Sequence, residues 1–348
     1  MKKLFLSIIA LATSTVGYAQ LSDGVSATLQ AGETTTMFYG YDAFKDAIAA
    51  APADAVSTIT LSPGAFNNPG NISKSVKIYG AGFQTDTEKN ISPTSVTGDL
   101  SIVSTDEVSP TVRIEGVKFV NSCVLSGSQT ITGTEIVKCS FERFYNRVAT
   151  DNTIIRQSYF RSDVRGENKL STRFLISNCY LVGIHSFGAG SDVAVNHCIL
   201  TAGSDYRHGP YFYYGNIIHP YYSYDSHRIS AGATCQYNVS SDAKLSNGGN
   251  NNVLGNYDKS QWTDFKTLFA DGQDNLDYLD ADGKPRTWTL AAPTTYVDAE
   301  GSPCGVTGGD FPWNPIPATP RIISTSVDAK SEAGKLKVTI KAEARPIE

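Results

Sequence analysis

Apolar residues recur in this chain at four fixed offsets within segments that start at Val112, Thr134, Thr153, Phe174, Val193, Tyr211 and Ala233, 18 to 22 residues apart. The offsets are the first residue and those two, five and seven further on. The second reads Ile114, Ile136, Ile155, Ile176, Val195, Tyr213, Cys235, and the third Val117, Cys139, Ser158, Cys179, Cys198, Asn216, Asn238. The fourth reads Phe119, Phe141, Phe160, Leu181, Leu200, Ile218, Ser240. Residues two apart share a face of a strand, so each unit is a short strand, a one-residue jog and a second short strand. One unit alone leaves its apolar face in water, whereas stacked copies bury a continuous column. A unit of about 20 residues leaves room for a third strand, which predicts an all-β parallel solenoid of three-faced coils.

The flanks predict lids for this column. Leu21 to Tyr41 alternates like a strand, and Asp42 opens a short helix in which Ala43, Phe44, Ala47, Ile48 and Ala51 recur at helical spacing until Pro52. Such a helix covers the raw end of a stack. Val76, Ile78, Ala81 and Phe83 fit the offsets as an earlier coil, with Gln84 to Asp99 an inserted polar loop and Leu100 and Ile102 on that coil's first face. The repeat fades from Asn247, after which Trp262, Phe265, Leu268 and Phe269 suggest a short capping helix. Asp280 to Lys284 resembles a calcium-loop fragment without its downstream acidic ligand, and reads as a turn between Tyr278-Leu279 and Trp288-Thr289-Leu290. Ile322 to Arg345 predicts a hairpin turning near Ser331 to Gly334, with Lys335, Lys337 and Lys341 as outward guards. The organisation is therefore residues 1–19, a β-helix with its N-terminal cap over 20–320, and a hairpin tail over 321–348.

Residues 1–19 read as a secretory signal: Lys2 and Lys3, an apolar run from Leu4 to Ala12, and Gly17-Tyr18-Ala19 as cleavage site. The expectation is export to the periplasm, cell surface or exterior, with no membrane span. Removing the signal takes the formal charge from −5 to −7, which gives no electrostatic footprint for nucleic acid or anionic lipid. At 41% apolar and 18% charged residues, the chain is too apolar for disorder. Cys139, Cys179 and Cys198 share one inward slot, where thiols behave as small hydrophobes. Cys179 and Cys198 fall on consecutive coils, the one pair for which the spacing leaves a disulfide open.

Three segments carry a resemblance: Tyr41-Asp42-Ala43-Phe44-Lys45-Asp46-Ala47-Ile48, Thr58 to Phe66, and Val76-Lys77-Ile78-Tyr79-Gly80-Ala81-Gly82. They resemble the start of proteins with the right-handed, single-stranded parallel β-helix of the pectin-lyase-like superfamily. Gly305 to Trp313 resembles the end of exported β-helix proteins of Bacteroidota. The resemblance implies the fold and leaves activity open, because this architecture hosts lyases, hydrolases and non-catalytic adhesins. Neither the hydrolase pattern of Asn-Thr-Asp, paired Asp, Gly-His-Gly and Arg-Ile-Lys, nor the Arg-x-Pro-x-x-Arg of one lyase group, occurs.

All five histidines lie between residues 185 and 227. His185, His208 and His227 are 23 and 19 residues apart, and His197 and His219 are 22 apart, each close to one coil. Asp205, Arg207, His208, Asp225, His227 and Arg228 are therefore candidates for acid–base work on a glycan. Tyr206, Tyr211, Tyr214, Tyr221, Tyr222 and Tyr224 are candidates for stacking on sugar rings. His197 aligns with Asn178 and Gln157 at the jog, where a polar residue serves the turn. Arg143, Arg147, Arg161 and Arg165 read as a solvated turn face, or as contacts to an anionic glycan. No close-spaced metal-ligand motif occurs, and calcium would enter only with lyase chemistry. The leading expectation is a non-catalytic, exported β-helix that binds an extended glycan. The alternatives are a polysaccharide lyase or glycoside hydrolase, and a structural spacer or adhesin.

Overall fold

The inner files close into a three-sheeted parallel β-solenoid of about 21 residues per winding. This computed structural model describes residues 24–201, 211–218, 233–240, 251–253, 268–273, 276–280, 282–318, 321–327 and 338–343. One winding shows the plan: Thr150–Arg156 lies in the first sheet, Tyr159–Phe160 in the second and Val164–Arg165 in the third, before Ser171–Ser177 returns to the first. Like positions pair between windings, as in Ile136 beside Ile155 and Phe141 beside Phe160. Among the described residues the sheets hold twelve, ten and six strands.

The inner column is built as the offsets require. Phe119, Phe141 and Phe160 are fully buried. Their rings stack at 4.9 Å and 5.7 Å with interplanar angles of 2° and 15°. The jog is a single residue in the left-handed region: Lys138, Gln157, Asn178 and His197 have φ between 49° and 51°, and Gly116 and Gly215 take the slot elsewhere. That bend turns the next backbone N–H away from the ladder, and the third offset supplies its partner from the following winding. The N–H of Cys139 donates to Ser158 Oγ at 3.2 Å, that of Ser158 to Cys179 Sγ at 3.4 Å, and that of Cys179 to Cys198 Sγ at 3.4 Å. Cys198 donates to Asn216 Oδ1 at 2.7 Å, Asn216 to Asn238 Oδ1 at 3.0 Å, and Asn238 to Asn251 Oδ1 at 3.0 Å. Cys179 and Cys198 are thus acceptors as well as fillers, and both are buried free thiols, so they are not bridged.

At the N-terminal end Ser26–Ala31 and Thr34–Tyr39 pair antiparallel, and the former also joins the first sheet. Helix α1 (Ala43–Ala50) buries Ala43, Phe44, Ala47 and Ile48. Asp42 stands at the N-cap position without a capping bond; its Oδ1 instead accepts from Asn67 Nδ2 at 3.0 Å. Lys74 Nζ closes the other end, donating to the carbonyls of Ile48, Ala49 and Ala51 at 2.6 to 3.1 Å. A cation on orphan carbonyls is favourable there.

Three expectations are corrected. The insertion falls between the first and second sheets, so Thr94–Val96, rather than Ala81 to Phe83, forms that winding's second-sheet strand, with Val96 beside Phe119. Phe83 packs instead on Trp313, centroids 6.2 Å apart. Leu100 and Ile102 belong to the third sheet, beside Cys123 and Leu125. Leu268 and Phe269 form a turn and an isolated bridge to Leu290 in place of a helix, while Trp262 and Phe265 lie outside the described residues. Arg321–Val327 and Val338–Glu343 pair antiparallel as the tail hairpin; its turn near Ser331 to Gly334 also lies outside them.

Candidate functional site

Of the sequence-derived candidates, Asp205, Tyr206, Arg207, His208, Tyr221, Tyr222, Tyr224, Asp225, His227 and Arg228 lie outside the described residues, as does His219. Tyr211 points into the core at 1% exposure, and its hydroxyl accepts the N–H of Phe187 at 3.4 Å, which withdraws it from any surface ligand. The odd–even alternation of its strand, Tyr211–Tyr214, turns Phe212 and Tyr214 outward instead. The Tyr214 hydroxyl is held by Glu300 and by the N–H of Ala299 at 3.1 Å. Burial and the Glu300 bond push its ionisation up to about 12.

The jog column is claimed by a distant part of the chain. Residues 298–318 run as a strap along it. Lys138 Nζ donates to Ile316 O at 3.0 Å and Gln157 Nε2 to Pro312 O at 2.6 Å. Asn178 Nδ2 donates to Val306 O at 3.0 Å and Gly308 O at 2.6 Å. His197 Nε2 meets Asp298 Oδ2 at 3.1 Å, both residues being buried. Burial lowers the imidazole below its usual 6.5 in spite of Asp298, Asp310 and Glu300. Gly309 lies against the ring at φ +69°, where a Cβ would sit 2.8 Å from Nδ1. The strap also closes an outer core over the second sheet, where Tyr180, Ile199, Ile217 and Val239 meet Leu268, Trp288, Cys304 and Val306.

A sequence signal for this strap exists: Tyr278-Leu279-Asp280-Ala281-Asp282-Gly283-Lys284-Pro285 repeats as Tyr296-Val297-Asp298-Ala299-Glu300-Gly301-Ser302-Pro303. Both make one Asp-anchored turn. Asp280 Oδ1 accepts the N–H of Asp282 and Lys284, and Asp298 Oδ1 that of Glu300 and Ser302, at 2.7 to 3.0 Å. The Asp280 turn closes between Leu279 and Pro285, whereas Leu290 pairs with Phe269, so the turn is tighter than the expected one from Tyr278-Leu279 to Trp288-Thr289-Leu290.

A second column lies on the outside of the third sheet. Parallel pairing places Tyr145 beside Arg165 and Arg165 beside His185, with the alternating residues Phe144, Val164 and Ile184 turned inward. The turn before this sheet brings Asp163, 4% exposed, beneath them. Its Oδ1 accepts from Arg143 Nε and Ser162 Oγ, both at 2.9 Å. Its Oδ2 meets Arg165 Nε and Nη2 at 2.8 Å and His185 Nε2 at 3.3 Å. Burial would raise this carboxyl, but the Arg165 hydrogen bond, with His185 and Ser162, holds it below the usual range. Arg143 Nη1 reaches the Tyr145 hydroxyl at 3.4 Å, and the Arg147 guanidinium lies 4.9 Å over the Tyr145 ring. Two guanidiniums and an imidazole thus gather round one saturated carboxylate, and a third guanidinium lies over the adjacent Tyr145 ring. Arg161, the fourth arginine of this face, is engaged by Glu142 at 2.8 Å.

Both oxygens of Asp163 are engaged by its neighbours, so what this column presents outward is hydrogen-bond donors. Among the described residues no group of three or more His, Cys, Asp or Glu is placed to hold a metal ion, and no helix is long and apolar enough to cross a membrane. Comparison of the chain with protein-family models, curated proteins and solved structures found no match in any of the three.

Proposed function

We propose that this chain is an exported protein of the pectin-lyase-like kind that binds an extended glycan along the outer face of the third sheet without cleaving it. The observation that carries the reading is the column Tyr145, Arg165, His185, one polar donor per winding at a rise of roughly 4.8 Å, flanked by Arg143 and Arg147. Such a row matches a ligand that is itself a linear repeat. The Tyr145 ring and hydroxyl set two of the guanidiniums, so recognition is pre-organised rather than assembled on binding. The three-sheeted winding and the signal-like start support the likeness to exported β-helix proteins.

A glycan array followed by a product assay tests this. Binding without new chain ends is expected, weakened about tenfold by Tyr145→Leu, which corresponds to about 1.4 kcal/mol. Unsaturated or reducing ends would instead establish the lyase or hydrolase alternative, and silence on every glycan the spacer. A His208→Ala/Arg228→Ala double variant in the same assay tests the second patch that sequence spacing suggests.

A further inference from the structure

We infer that the glycan held on the third sheet carries tetrahedral ester anions, sulfate or phosphate, and that Arg143, Arg147 and Arg165 take them. The inference rests on the glycan reading and names its ligand class. Its first ground is charge. Two guanidiniums, Arg143 and Arg165, and His185 share the single carboxylate of Asp163, and a third, Arg147, lies over the neighbouring Tyr145 ring, in a chain whose formal charge is −5. On the first sheet the arginines are matched by carboxylates: Glu135 sits between Arg113 and Arg156, and Asp151 takes Arg173. Among the described residues no carboxylate pairs with Arg147.

The second ground is the direction of the donors. Arg165 spends Nε and Nη2 on Asp163, and Arg143 spends Nε on Asp163 and Nη1 on Tyr145. Among the described residues this leaves Nη1 of Arg165 and Nη2 of Arg143 for a ligand, on side chains 40% and 38% exposed. A carboxylate is planar and is satisfied by one guanidinium fork. Single nitrogens offered from separate arginines on successive windings fit a tetrahedral group, whose three terminal oxygens point apart. Asp163, buried under them, fixes the arginines, and its charge is offset by the two guanidiniums paired with it.

The test measures the full chain at about 0.15 M salt, where loose surface attraction is screened, against chondroitin sulfate, phosphomannan, polygalacturonate and dextran. At least tenfold tighter binding of the sulfated or the phosphorylated polymer than of polygalacturonate is expected, and whichever of the two leads identifies the ester. Arg147→Gln should lower that binding about tenfold, and it leaves no carboxylate unpaired, so the fold is kept. Arg165→Gln should abolish it, and circular dichroism checks that this variant is folded. Equal binding of polygalacturonate or dextran, unmoved by Arg147→Gln, would overturn the inference and leave the glycan reading standing. Binding of inorganic sulfate or phosphate with no polymer held would overturn the glycan reading and with it this ligand. No binding of polymer or inorganic anion would overturn both.

Discussion

Lys138, Gln157, Asn178 and His197 line one edge of the solenoid, and Tyr145, Arg165 and His185 line another, one residue per winding in both. The first column hands its polar groups to the chain's own strap: four side chains meet backbone carbonyls and Asp298. The second keeps guanidinium nitrogens turned outward around a carboxylate that is already full. Stacking alone makes both columns. Whether a column is structural or available for recognition depends on what the rest of the chain does with it.

Both columns hang on the inner file, so the largest effect should come from there. Phe141→Ala removes the middle ring of the stack and should cost about 3–5 kcal/mol, read by urea denaturation. A cost below about 1 kcal/mol would mean that the windings are not held by this file. Next comes the clamp. Asn178→Gly keeps the left-handed backbone and deletes the two bonds to Val306 and Gly308 together with the local one from Ser177 Oγ, so a loss of about 1–3 kcal/mol is expected. Limited proteolysis should then cut within 298–318, and an uncut strap would show that the column does not hold it.

His197 sharpens the same point through pH. Its folded value lies below 6.5, so the unfolded chain takes the proton first. Its contribution to stability is complete above 6.5 and is lost as pH falls from there through the depressed folded value. Wild type should therefore fall away from His197→Gln over this window in thermal melts, and parallel profiles would exclude the imidazole as the cause. The smallest effect is expected at Arg161–Glu142, a pair 35% and 42% exposed: Glu142→Gln should change stability by less than about 1 kcal/mol. It should also leave anion binding by the neighbouring arginines intact, as ligand titration would show.

Sequence periodicity set the windings, the single-residue jog and the inward files, because each is a local rule repeated every coil, and a strand declares its inner face by alternation. It failed where a local rule was interrupted. The insertion after Gly82 let Phe83 mimic an inner position that Val96 fills, and Tyr211 read as a surface ring although it occupies the first offset. The arginine face was visible only as charge. Its convergence on Asp163 needed the third dimension, since Arg143, Asp163 and His185 come from three windings.

The amino-acid order by itself determined a stack of three-faced coils with Phe119, Phe141 and Phe160 inside. Only the tertiary structure decided which columns are covered, because the partners that cover them are remote: Lys138 and Ile316 are 178 residues apart, His197 and Asp298 101. Hydrophobic periodicity records which side of a strand leaves water. It carries no record of which distant segment returns to lie across that strand's ends, and that return separates the clamped edge from the open one.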